Sequence, residues 1–232
     1  MSSYSKTIFA FFFISPLHLL RMIATVFGIG ILAECPFRVT YSDEAAISAE
    51  AQQFIADFGK RAIMALTNPN IAAPIRQERF AVLLDEGFDV AAIGRFVLAR
   101  HWRRLTNEQK QQFITLFRKM IVVNYAARFR EFFGVVLQVK GATCVAQGGV
   151  NVESVITLPR GGQVKIIWKM FPSSNGAKFK VVDVVLDGVS MGITQRSEFA
   201  NVIQKLGDDM SAFLSDLDGR VQRAFNTPKN VK

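Results

Sequence analysis

The sequence predicts an α+β fold, a twisted antiparallel sheet of about four strands packed with helices. Three observations predict it. Apolar residues recur at helical spacing from Ile47 to Phe132, the period changes to two at Gly134, and helical spacing returns after Gly188. The order is therefore helices, sheet, helices, with no internal repeat, linker or charge block dividing the chain into two domains.

Phe54, Ile55, Phe58, Ala62 and Leu66 mark the first helix, which Asn68-Pro69-Asn70 ends. A second spans about Ile75 to Leu84 and stops at Gly87. Asp89 opens a third through Ile93, Phe96 and Val97. Thr106 and Gln109 form a capping box, in which each side chain bonds the other residue's backbone amide. After it Phe113, Leu116, Phe117, Met120, Ile121, Asn124, Tyr125, Phe129 and Phe132 trace the bulky aromatic face of one long helix. Four β-rich runs follow, from Val135 to Lys140, Val150 to Leu158, Val164 to Phe171 and Phe179 to Leu186. Arg160-Gly161-Gly162 and Ser173-Ser174-Asn175-Gly176 read as hairpin connections, because Gly and Asn tolerate positive φ. Val164, Ile166, Trp168 and Met170 give the third run an apolar face, while Lys165 and Lys169 mark the other as wet. Beyond Asp187-Gly188, Phe199, Val202, Ile203 and Leu206 indicate a helix stopped at Gly207. A last helix carries Met210, Phe213, Leu214 and Leu217.

Residues 1–42 read as a secretory signal: Lys6, then apolar runs Thr7 to Leu20 and Met22 to Ala33, then small and polar residues. Pro16, His18 and Arg21 interrupt the stretch, which is too broken for an ordinary membrane span of about 20 apolar residues. Cleavage is expected near Thr40 to Ser42 or Asp43 to Ala46, with an uncleaved anchor as the alternative. Glu34 before Cys35 argues against a lipoprotein site. The remainder divides into a domain at 43–225 and a frayed tail at 226–232. With Cys35 removed, Cys144 is the one thiol left and reads as a small apolar filler. The net charge is +9, of which Lys6, Arg21 and Arg38 against Glu34 contribute +2, leaving +7 on the exported body. Such a charge favours anions of any kind, but export disfavours nucleic acid. The 21 Phe against 3 Tyr and 2 Trp demand apolar cover, in an ordinary core or around a greasy ligand.

Gly188-Val189-Ser190-Met191-Gly192 matches the G-x-S-x-G elbow of serine hydrolases. Its serine needs a histidine base later in the chain, and His18 and His101 both precede it. Ser190 therefore reads as a turn or cap residue, Asp183 as a buried structural carboxylate and Asp187 as a turn residue. No catalytic residue, metal site, nucleotide motif or cofactor is indicated. Arg100-His101-Trp102-Arg103-Arg104 is a compact basic and aromatic cluster, readable as a solvated helix face or as an anion contact.

Two stretches resemble the MlaC family of periplasmic phospholipid-binding proteins, which includes toluene-tolerance auxiliary and hopanoid-associated relatives. The first runs through Phe88-Asp89-Val90, Ile93, Val97-Leu98, His101-Trp102-Arg103, Leu105-Thr106, Gln109, Phe113, Phe117 and Tyr125. The second runs from Lys180 to Ser190, then through Gln195 to Phe199 and the Gly207 stop. Ala99 departs from the family's usual Gly. The resemblance implies one domain enclosing an apolar cavity for acyl chains, without catalysis or cofactor, and a monomer is expected. Candidates for acyl contact are Phe96, Phe113, Phe117, Ile121, Tyr125, Val164, Ile166, Trp168, Val181 and Val185; Arg100, Arg103 and Arg104 are candidates for headgroup or membrane contact. Implied partners are a phospholipid, an outer-membrane lipoprotein complex and an inner-membrane ABC transporter with an MCE-domain subunit. The expected function is lipid shuttling that maintains outer-membrane asymmetry, with a serine hydrolase or a lipid-free envelope scaffold as alternatives.

Overall fold

Pro69 cannot continue a helix, and α1 (Tyr41–Leu66) ends just before it in the computed structural model, which describes residues 41–159, 161–173 and 179–226. The expected signal at 1–42 and tail at 226–232 lie outside the described residues except at their inner ends. Arg76, fully buried, donates to the carbonyls of Leu66 and Asn68, both at 2.9 Å, and so closes the end of α1. It stands on α2 (Ala73–Gly87), which begins with proline in its first turn. The Lys180 ammonium donates to the carbonyls of Asp85 and Glu86, at 2.7 Å each, where the free carbonyls of α2 need a cation.

The Asp89 carboxylate accepts from the Ala92 amide and caps α3 (Val90–Leu98). A 3-10 segment, Ala99–Arg104, leads to the Thr106–Gln109 capping box, both of whose hydrogen bonds form, and to α4 (Asn107–Tyr125). The expected long helix through Phe132 is corrected here: the α-helix stops at Tyr125 and Ala126–Phe132 winds as 3-10 helix. Three residues per turn brings Phe129 and Phe132 into line, and Phe129 meets Phe80 at 5.3 Å between centroids.

The sheet is a meander in the order β1 (Val136–Val145), β2 (Gly149–Thr157), β3 (Gln163–Pro172), β4 (Phe179–Leu186) and β5 (Val189–Ser190), every pair antiparallel. The fifth strand, two residues long, is additional to the expected four. Asp187 and Gly188 turn the chain into it with φ of 46° and 87°, as a two-residue hairpin requires. Of the other hairpin connections, Arg160 and residues 174–178 lie outside the described residues.

Val164, Ile166, Trp168 and Met170 share one face of β3, which pairs with β2 without a break. On the other side Lys169 pairs with Asp183 and Met170 with Val181, so Val182 has no partner and β4 bulges there. The bulge changes which residues of β4 face inward: Val181 before it, Val184 and Leu186 after it. Val185, paired with Ile167, lies on the opposite face.

α1 crosses this sheet and buries Ala51 and Ile55 against Val150, Val152, Met170, Phe179 and Val181. A second core lies among α3, α4, α5 (Met191–Lys205) and α6 (Met210–Asn226), where the Phe113, Phe117, Phe199 and Phe213 rings pack at 5.3 to 6.3 Å. Phe88, at the elbow between α2 and α3, packs against both, and the Asp89 amide ties that elbow to the Val181 carbonyl at 3.0 Å. α1 thus covers β1 and β2, while the other helices meet the sheet along β4.

Candidate functional site

Between the helices and the β3–β4 side of the sheet lies a cavity of about 270 Å³. The helices contribute Phe80, Leu84 and Phe88 from α2 and its exit, Ile93 and Val97 from α3, Phe117, Ile121 and Tyr125 from α4, then Phe129. From the sheet come Trp168, Val182, Asp183, Val184 and Leu186, and from the start of α5 Met191, Gly192 and Gln195. The Trp168 indole N–H donates to the Ser154 hydroxyl at 2.8 Å, which fixes the ring and satisfies its one polar group. Tyr125 carries the one hydroxyl of the wall, and burial pushes it up to about 12, so it stays neutral. A wall of this kind stabilises hydrocarbon.

Four of the ten candidate acyl contacts line this cavity: Phe117, Ile121, Tyr125 and Trp168. Phe113 lies inside the helical core against Trp102, Phe117, Phe199 and Phe213. Val164 and Ile166 pack with Val135 and Leu158, and Val181 packs under α1. Val185 is on the far face of the sheet. Phe96 is 43% exposed, with Arg196 5.6 Å over its ring. Arg100, Arg103 and Arg104 do not line this cavity. Arg104 instead holds the turn between α5 and α6, donating to the Asp208 carbonyl at 2.6 Å. The sequence reading missed Phe80, Leu84, Phe88, Phe129 and the bulged Val182. Phe129 was on the traced aromatic face, whereas no local signal marks Val182.

Ser190 caps α5: its oxygen accepts from the Ile193 amide at 3.1 Å and its hydroxyl donates to Asp183 at 2.8 Å. Asp183 also accepts from the Gly192 amide at 3.0 Å and pairs with Lys169 at 3.0 Å. The carboxylate therefore pins the start of α5 to β4, and Ser190 occupies a structural position in place of a nucleophile elbow. Asp187 accepts from the Lys165 amide at 2.9 Å, as a turn aspartate does. Cys144 touches Ser48 at 3.4 Å and packs beside α1. Among the described residues no group of three His, Cys, Asp or Glu side chains converges, and no helix is long and apolar enough to cross a membrane.

A five-stranded antiparallel meander, helices across one side of it and an apolar cavity between them define the class: an α+β domain built around an interior hollow. The chain belongs to the MlaC family, whose model, described as MlaC protein, matches residues 59–218. It is 25% identical over 150 residues to the toluene tolerance protein ttg2D of Pseudomonas putida, a match spanning 62% of this chain and 69% of that one. Its fold resembles that of a phospholipid-binding protein from Ralstonia solanacearum, solved in complex with a phospholipid. The TM-score is 0.64 at 22% identity, over 76% of this chain and 99% of the other.

Proposed function

We propose that this chain is a non-enzymatic phospholipid carrier of the bacterial periplasm, exported by its N-terminal signal, which moves lipid between the outer and inner membranes and so maintains outer-membrane asymmetry. The observation that carries the reading is the cavity walled by Phe117, Ile121, Trp168 and Val184, which is almost wholly apolar. A phospholipid's two chains hold roughly 30 methylenes, and exposing them to water costs on the order of 24 kcal/mol. Free diffusion of a lipid across the periplasm is therefore negligible, and a protein wall that replaces bilayer cover removes the barrier. Because a membrane gives nearly equal cover, the carrier needs no energy of its own, and direction comes from whatever loads and unloads it. An outer-membrane lipoprotein complex and an inner-membrane ABC transporter with an MCE-domain subunit are the partners the family suggests. The phospholipid held by the Ralstonia protein supports the ligand class.

The test is uptake. Delipidated protein incubated with detergent-dispersed phospholipid should recover one lipid per chain after gel filtration, and should donate it to acceptor vesicles. Protein that emerges without lipid under every condition contradicts the proposal.

A further inference from the structure

Phe96 of α3 is 43% exposed and Ile193 of α5 is 57% exposed, so two large apolar side chains stand in water on neighbouring helices. They belong to one patch. The Arg196 guanidinium lies 5.6 Å from the centroid of the Phe96 ring, and Arg196 stands one helical turn beyond Ile193. Gly192 makes this approach possible, because a Cβ there would sit 3.2 Å from the Phe96 ring. Exposed Ala92 and Ala200, a turn away from Phe96 and Arg196, are too short to screen it.

The surrounding charge has one sign. From Val90 to Asn107 the chain carries Arg95, Arg100, Arg103 and Arg104, all exposed, and no carboxylate. Asp208 neutralises Arg104, so the positive field comes from Arg95, Arg100 and Arg103 together with Arg196. Glu198, the one carboxylate of α5, lines a separate hollow among α4, α5 and α6. Ile93 and Val97 flank Phe96 in sequence, Met191 and Gln195 flank Ile193, and all four line the apolar cavity. The same turns of α3 and α5 therefore present one side to the cavity and the other to solvent.

Two protruding side chains among arginines are not a groove, and a stable protein interface needs about 800 Å² on each side with well-packed pockets for its anchors. A bilayer needs no shape complement. Its phosphates take guanidinium groups, and its acyl boundary takes an aromatic ring and a branched side chain.

We propose that Phe96 and Ile193, ringed by Arg95, Arg100, Arg103 and Arg196, dock the cavity wall made by α3 and α5 onto an anionic lipid bilayer. The arginines hold the chain at the headgroup phosphates while the two apolar side chains enter the acyl boundary. Neither contact depends on what the cavity holds.

The experiment is flotation of the protein purified from cells with vesicles of phosphatidylcholine, prepared with and without phosphatidylglycerol. The protein should float with the phosphatidylglycerol vesicles, stay behind with phosphatidylcholine alone, and be released as salt rises. Arg95→Gln with Arg196→Gln should lower the partition about fivefold for each arginine removed. Lys60→Gln with Lys140→Gln, which takes the same charge from exposed positions on α1 and β1, should change it far less. Phe96→Gln with Ile193→Gln should lower it about tenfold and leave the salt dependence in place. All these positions are exposed, and circular dichroism checks that each variant folds. Equal loss in the two charge pairs, or no loss in the apolar pair, overturns the proposal. A chain that takes up phospholipid from detergent yet floats with neither vesicle overturns it as well and leaves the patch to a protein partner. Flotation without any uptake of phospholipid would instead overturn the carrier reading and leave the docking face standing.

Discussion

The Ser190 hydroxyl donates to Asp183 across 2.8 Å while its oxygen accepts from the Ile193 amide, so both capacities of the one serine in a hydrolase-like pattern are already used in joining β4 to α5. Removing it should therefore cost stability and leave ligand binding alone. Ser190→Ala loses an N-cap worth about 1 kcal/mol, together with a hydrogen bond of similar size. The expected result is a Tm a few degrees lower, with unchanged lipid per chain. A hydrolase activity lost in this variant would overturn the structural role.

Ala99 adopts φ 49° and ψ −120°, a backbone region that suits glycine and strains a residue with a Cβ. The position joins α3 to the 3-10 segment, and the Ala99 amide still bonds the Arg95 carbonyl. Ala99→Gly should relieve the strain and stabilise the domain by about 1 kcal/mol, after the added chain entropy of glycine is subtracted. Thermal or urea unfolding reads this directly. A destabilised Gly variant would mean that the strain at this joint is smaller than glycine's entropy cost.

His101 is buried, and its Nδ1 has no hydrogen-bond partner. Burial, then Arg100, with a smaller effect from Arg104, holds its pKa below the ordinary 6.5, against the opposing pull of Asp208. The unfolded chain thus takes up a proton before the folded one does. Stability is complete above about pH 6.5 and falls as the pH drops through that value toward the folded pKa. Comparing Tm at about pH 7.5 and about pH 5, the native chain should lose more than His101→Leu, which has nothing to titrate there. Parallel pH profiles would assign the loss to other groups.

Most of the architecture was legible because its signals are local. Thr106 and Gln109, Asp89, and the Asp187-Gly188 turn each specify an element boundary within four residues, and β4 begins and ends where the β-rich run Phe179 to Leu186 does. The site was less legible. Periodicity shows that Phe113, Phe117, Ile121 and Tyr125 share a helix face, but not that Phe113 meets side chains while Ile121 meets open space. Val181 and Val185 would share a face on an unbroken strand; the bulge at Val182 separates them, and nothing in Val-Val-Asp-Val-Val announces it. The basic run at Arg100 to Arg104 is near in sequence to cavity residues of α3, yet its Arg104 is occupied by Asp208, more than a hundred residues away.

This division between core and void gives a paired prediction. Ile121 is half-buried at the cavity wall, whereas Ile166 is 4% exposed inside a packed cluster. A carboxylate at Ile121 can hydrate once the cavity is empty of lipid; one at Ile166 has only side chains around it, and an uncompensated buried charge costs several kcal/mol. Ile121→Glu should fold by circular dichroism and carry no lipid, while Ile166→Glu should fail to fold. The reverse outcome would move the binding wall from α4 to β3.

The central claim, that the hollow between sheet and helices is a lipid site, is tested most directly by a native mass spectrum of the intact protein purified from cells without detergent. The account predicts a mature chain with one phospholipid bound, released on gas-phase activation. A spectrum showing only the lipid-free mass, from protein that also takes up none when phospholipid is supplied, would contradict it.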